Sequence, residues 1–204
     1  MDNRNSFFGN IPTATKNIIV INALLFLAMK MVDKFNWNML GMFYFDTDYF
    51  RPFQVITYMF MHANISHIIF NMFAVFMFGS VLEHFWGVKK FLFYYFFTGI
   101  GAAIAQQLVW YLSGNFGGVT VGASGAVFGL LLAYGMMFPN EKIYLYFAIP
   151  IKAKYFIVIY GLIELFMGVA NFSGDNVAHF AHLGGLVFGL ILMLYWRKKG
   201  RLFL

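Results

Sequence analysis

The chain has 204 residues, 61% of them hydrophobic and only 11% charged, with a mean hydropathy of +0.72. A water-soluble domain of this composition would expose large contiguous apolar patches, so the composition excludes one and points to an integral membrane protein. The net charge of +6 is explained by basic residues flanking the apolar runs, with no need for a nucleic-acid partner, and the absence of cysteine removes disulfides, thiol nucleophiles and cysteine-held metal clusters.

Six stretches are long enough, at ~1.5 Å per residue, to cross or nearly cross a hydrocarbon core of ~30 Å. The first runs from Ala14 to Met31. It lacks a small-residue cleavage exit and reads as an uncleaved anchor. The segment from Val32 to Gln54 is rich in Phe, Tyr, Trp and Asp and reads as an outer loop with interfacial aromatics. The remaining spans run from Ile65 to Leu82, Phe91 to Leu112, Ser124 to Phe138, Tyr155 to Phe172 and Val177 to Trp196. Backbone polar groups in lipid must be satisfied within the segment, so each span is expected to be a helix; the period-two alternation of a barrel strand is absent. With no repeat or linker, residues 1–204 read as a single all-α, polytopic membrane domain.

Orientation follows from the basic residues. With the N-terminus inside, the inner segments carry Arg4, Lys16, Lys89, Lys90, Lys142, Lys152, Lys154, Arg197, Lys198, Lys199 and Arg201, against Lys30, Lys34 and Arg51 outside. The excess places both termini in the cytoplasm, and a bacterial cytoplasmic membrane is the expected location.

Three polar clusters interrupt the apolar runs: His67 with Asn71, Gly122-Ala123-Ser124-Gly125, and His179 to Gly185 with His182 at its centre. Polar side chains in a span are costly, so such clusters mark a functional site. In the inferred topology, spans two, four and six begin at the outer face, and Asn71, Ser124 and His182 each fall about 10 Å below it by helical rise. Three clusters at one depth imply a shared cavity opening outward. A helix beginning at Ser124 presents a hydroxyl beside a first-turn N–H that lacks an intrahelical acceptor and sits at the positive end of the helix dipole. Gly185 and Gly189 lie on nearly the same face as His182 and permit a close neighbour, which would bring the imidazole to Ser124 as general base and then acid. His67 and Asn71, four apart, can both donate toward a developing oxyanion. Packing explains each cluster taken singly; their equal depth favours chemistry. His62 and His179 are expected to be structural or to organise water; Glu164 in the fifth span, either neutral or paired with a group the sequence does not identify, is expected to pack and not to catalyse; and Glu83 and His84 are expected to be structural.

With these residues the chain resembles the rhomboid family of intramembrane serine proteases in its compact six-helix form. The resemblance rests on the aromatic-rich first outer loop, His62 with His67 and Asn71, Glu83 with Gly87, Gly122 to Gly125, and Ala181 to Gly185. It implies a six-transmembrane-helix rhomboid-like bundle and a catalytic dyad of Ser124 and His182 without an acidic third member, the only carboxylate assigned near His182 being loop residue Asp175. It also implies oxyanion contacts from His67, Asn71 and the Ser124 backbone N–H, and Phe128 packed against the catalytic histidine. The implied function is endopeptidase cleavage of transmembrane segments near their outer end, with substrate entering between the second and fifth spans and no cofactor or metal. The implied partners are transmembrane protein substrates and the lipid bilayer. Arg51-Pro52-Phe53 departs from the Trp-Arg that many relatives carry in the first outer loop. The alternatives are a non-proteolytic rhomboid-like protein that binds transmembrane clients, or a metal site built from His62, His67, His179 and His182.

Overall fold

The computed structural model describes residues 11–32, 37–145, 148–170 and 178–202. Helix α1 (Thr13–Met31) starts against a carboxylate from elsewhere in the chain: Ala14 N–H and Thr15 N–H donate to the two oxygens of Glu83, at 2.8 and 2.7 Å. First-turn N–H groups have no intrahelical acceptor, and a negative charge there also complements the helix dipole. Glu83, buried at 3% exposure, is therefore a structural cap.

The described part of the connection before α2, residues 37–53, is folded around the buried Gln54 at the start of a single helical turn, α2 (Gln54–Thr57). Its amide donates to Met39 O and Tyr49 O and accepts from Arg51 N–H, which ties the Arg51-Pro52-Phe53 turn to the aromatic stretch before it. Met42 and Thr120 exchange backbone hydrogen bonds of 2.9 Å in both directions, fastening this connection to the segment that leads into the fifth helix.

Helix α3 (Ile65–Ala74) is capped by Asn64, whose side-chain oxygen accepts from His67 N–H at 2.8 Å. It passes through a π turn (Val75–Gly79) into α4 (Ser80–Ser113), which bends sharply at Gly87, where φ is 73° and ψ 166°. A side chain would disfavour that left-handed φ, so glycine makes the corner between the second and third spans. After α4 come α5 (Ser124–Met137), an antiparallel hairpin of β1 (Lys142–Leu145) and β2 (Ile149–Lys152), α6 (Ala153–Ala170) and α7 (His179–Lys198). The sequence pattern did not indicate this small hairpin, which lies between two spans.

Among the described residues four helices are long and apolar enough to cross a membrane, one of them the bent 49-residue run Ile65–Ser113. Counting its two legs separately and adding the 14-residue α5 gives the six segments of a polytopic helical membrane fold. Helices α4, α5 and α7 form the centre, with Tyr94, Leu130 and Met193 fully buried on them, while Phe91 of α4 is buried on the other side against Gly79 and Thr15. Tyr94 Oη donates to Gly129 O at 2.9 Å, satisfying a hydroxyl that would otherwise be stranded in an apolar core. Helix α6 is peripheral: Val158, Leu162, Phe166 and Val169 are exposed, and its only described buried residues are Ala153 and Glu164. An apolar exposed surface of this kind is what acyl chains cover.

Candidate active site

Ser124 opens α5, so its N–H lies in the first turn, as the sequence pattern anticipates. The preceding Gly122 has φ 122°, a backbone conformation few other residues adopt, and its N–H donates to Tyr58 O at 2.8 Å. Opposite, Gly185 on α7 sits so close to α5 that a Cβ there would fall 1.9 Å from Gly125 O. This contact lets α7 approach the start of α5. One turn up α7, His182 reaches across with Nε2 2.8 Å from Ser124 Oγ, the distance of a good hydrogen bond.

Phe128, one turn into α5, lies flat against the His182 ring, with centroids 4.4 Å apart and planes 11° from parallel, and Tyr160 of α6 stacks on its other face at 5.1 Å. The imidazole is thereby held in orientation by packing as well as by hydrogen bonds. Ser124 is partly exposed, whereas His182 is buried at 8% exposure.

His67 enters the same space from α3. A Cβ on Gly122 would meet His67 Nε2 at 2.6 Å and Ser124 Oγ at 3.6 Å, so the ring lies directly beside the serine loop. Ala63 N–H approaches His67 Nδ1 at 3.4 Å; an accepting Nδ1 leaves the proton on Nε2, the nitrogen facing that loop. Asn71 is buried, and one of its amide hydrogens is committed to His67 O at 2.8 Å. The amide carries a second N–H, so this bond leaves a donor for another acceptor. His62, beneath His67 in an edge-to-face contact of 4.9 Å, is almost completely buried, and neither ring nitrogen has a hydrogen bond of ordinary geometry. Burial, and secondarily the neighbouring His67, push its pKa down to about 4 against a weaker opposing pull from the Phe60 backbone, so it is neutral at ordinary pH.

The structure overturns the expectation that Asp175 is the only carboxylate near His182. Glu164 of α6, buried at 5% exposure, places Oε2 2.9 Å from His182 Nδ1 and 2.7 Å from His179 Nδ1. Asp175 itself lies outside the described residues. Glu164 is thus paired, with His179 as well as with His182. A carboxylate in an apolar span needs a partner, and that was the signal available in the sequence; which partner depended on how α6 and α7 pack.

Glu164, His179 and His182 offer donor atoms within 4.8 Å of one another, so a carboxylate does accompany two of the histidines, without His62 or His67. Such a set could hold a divalent cation. Tetrahedral ligands at ~2.1 Å from a metal stand about 3.4 Å apart, however, and both nitrogens lie nearer than that to the single oxygen. The spacing is that of hydrogen bonds. A cavity of about 350 Å³, lined by Phe43, Asp46, Thr47, Asp48, Tyr49, Phe116 and Gly117, is separate and contains none of these groups.

The fold and composition define an integral membrane protein built as a polytopic helical bundle, with a serine–histidine contact at the start of its shortest span. The sequence profile of the Rhomboid domain matches residues 49–199, and the chain belongs to the rhomboid family. It is 34% identical over 152 residues to Rhomboid-like protein 11, chloroplastic, of Arabidopsis thaliana, covering 69% of this chain and 51% of that protein. YdcA of Bacillus subtilis, provisionally named a rhomboid protease, is 33% identical over 151 residues, covering 72% of this chain and 69% of YdcA. Rhomboid-like protease 3 of Toxoplasma gondii is 32% identical over 152 residues, covering 74% and 54%. The chain spans about half the length of the Arabidopsis and Toxoplasma relatives.

Proposed function

We propose that this protein is an intramembrane serine endopeptidase in which Ser124 is the nucleophile and His182 the general base. The observation that carries the reading is the 2.8 Å approach of His182 Nε2 to Ser124 Oγ at the first turn of α5. Ser124 attacks a scissile carbonyl while His182 takes its proton and passes it to the leaving amine; water then hydrolyses the acyl-enzyme. The oxyanion is met by the Ser124 N–H and by donors from His67 and Asn71. Protease-named relatives support an intramembrane protease in general terms.

The substrates in this reading are single transmembrane segments cut near their outer end. The protein in this reading is a single domain over residues 1–204 in a bacterial cytoplasmic membrane, and the basic residues support the orientation with both termini in the cytoplasm and the site opening to the outer side. Helix α6, peripheral and lightly buried, is the natural element to move aside for a substrate helix entering beside α3.

The test is labelling of purified, lipid-reconstituted protein with a fluorophosphonate, in parallel with cleavage of a single-span substrate. Wild-type protein is expected to label and cut, with both lost in Ser124→Ala and in His182→Ala. Turnover retained in Ser124→Ala would overturn the reading. Folded wild-type protein that neither labels nor cuts would instead indicate a client-binding, non-proteolytic relative.

A further inference from the structure

We propose that Glu164 is a positioning residue that extends the pair to a Ser124, His182 and Glu164 triad, with His179 bonded to the same carboxylate oxygen. This rests on the reading of Ser124 as nucleophile. A neutral imidazole carries one N–H, and which nitrogen bears it decides whether His182 can act as a base. An ionised carboxylate only accepts hydrogen bonds. With Glu164 Oε2 at 2.9 Å from Nδ1, the proton is held on Nδ1, leaving the Nε2 lone pair facing Ser124 Oγ at 2.8 Å. The opposite tautomer would point an N–H at the serine and could not remove its proton.

His179 supplies the second half of the device. Its Nδ1 lies 2.7 Å from the same oxygen, so Oε2 accepts from two rings and is fixed between them. A buried carboxylate costs several kcal/mol unless it is paired and hydrogen-bonded, and α6 otherwise presents an exposed apolar surface here. When His182 takes the Ser124 proton at Nε2 it becomes an imidazolium whose Nδ1–H still donates to Glu164. The proton then leaves from Nε2 to the departing amine, and Glu164 neither gains nor loses one. Because Glu164 sits on the lightly buried α6, a displacement of that helix that admits substrate detaches the carboxylate from His182, and the triad is complete only once α6 has returned against α7.

The simpler role, a polar clamp between α6 and α7, predicts a different outcome on substitution. Glutamine keeps the length and shape of Glu164 and still bridges the helices, but it can present an N–H to Nδ1 and so permit the wrong tautomer. In reconstituted wild-type, Glu164→Gln, Glu164→Asp and His179→Gln proteins, the expected result is at least a 100-fold fall in kcat for Glu164→Gln with KM within threefold. Partial recovery is expected in Glu164→Asp and a smaller loss in His179→Gln. In the wild-type protein, ¹⁵N NMR of the His182 ring is expected to find the proton on Nδ1, a readout that needs no variant to fold. A wild-type kcat in Glu164→Gln, a change confined to KM, a proton on Nε2, or activity lost to EDTA and restored by zinc would each overturn the proposal. Fluorophosphonate labelling of wild-type protein separates the two levels: without it the serine reading fails, whereas labelled enzyme indifferent to Glu164→Gln refutes only the positioning role.

Discussion

Replacing Gly185 by alanine tests whether the contact between α5 and α7 sets the catalytic distance. The added Cβ would lie 1.9 Å from Gly125 O, 2.8 Å from Gly125 C and 3.3 Å from its Cα, and all three atoms are backbone, so no side chain can swing away. Ordinary contact begins near 3.4 Å, so the two helices must part locally by about 1.5 Å. Ser124 is the residue before Gly125 and His182 lies one turn before Gly185, so much of that displacement reaches the 2.8 Å contact between them. A separation beyond about 3.5 Å is no longer a hydrogen bond, and misplacement of a reacting group by ~1 Å costs on the order of 100-fold, or about 2.7 kcal/mol of barrier. Gly185→Ala is therefore expected to lose at least 100-fold in kcat on a reconstituted single-span substrate. Thermal unfolding in detergent reports whether the bundle survives. Gly161→Ala is the control, because its Cβ meets only the flexible end of Leu186, at 3.3 Å, and full activity is expected. A folded Gly185→Ala protein with wild-type kcat would refute the view that this close approach positions the pair.

His67→Ala and Asn71→Ala should each lower kcat by roughly 100- to 1000-fold with a smaller change in KM, as expected for donors that act on the oxyanion and not on bound substrate; steady-state kinetics in which only KM rises would reassign them to substrate docking. Glycine or proline placed just inside the outer end of a substrate span should speed cleavage by lowering the cost of unwinding it, and leucine should slow it. Mass-spectrometric mapping of the cut across that series checks both rate and position, and cuts at the cytoplasmic end would contradict the proposed orientation.

Much of this was readable along the chain because it depends on local properties. Hydropathy over a window of one span marks the apolar helices, and the run of small residues before Ser124 marks the start of a short one. Spacing along a helix put His67 over Asn71 and the glycines on the His182 face. The bend at Gly87 and the hairpin after α5 were not legible, since a lone glycine or a short stretch between two spans has several equally local interpretations.

The sequence by itself determined a membrane environment, a six-segment helical bundle and the residues offering a hydroxyl, imidazoles and an amide, since each follows from composition or from periodicity within one segment. Folding in three dimensions decided which of them touch across helices: His182 on Ser124 and on Phe128, and Glu83 on the first turn of α1. It also brought Glu164 between two histidines of another helix, a partner no spacing rule could supply. The physical reason is that a buried carboxylate must be paired, a requirement visible in the sequence, while the identity of its partner is set by the rotation and packing of α6 against α7.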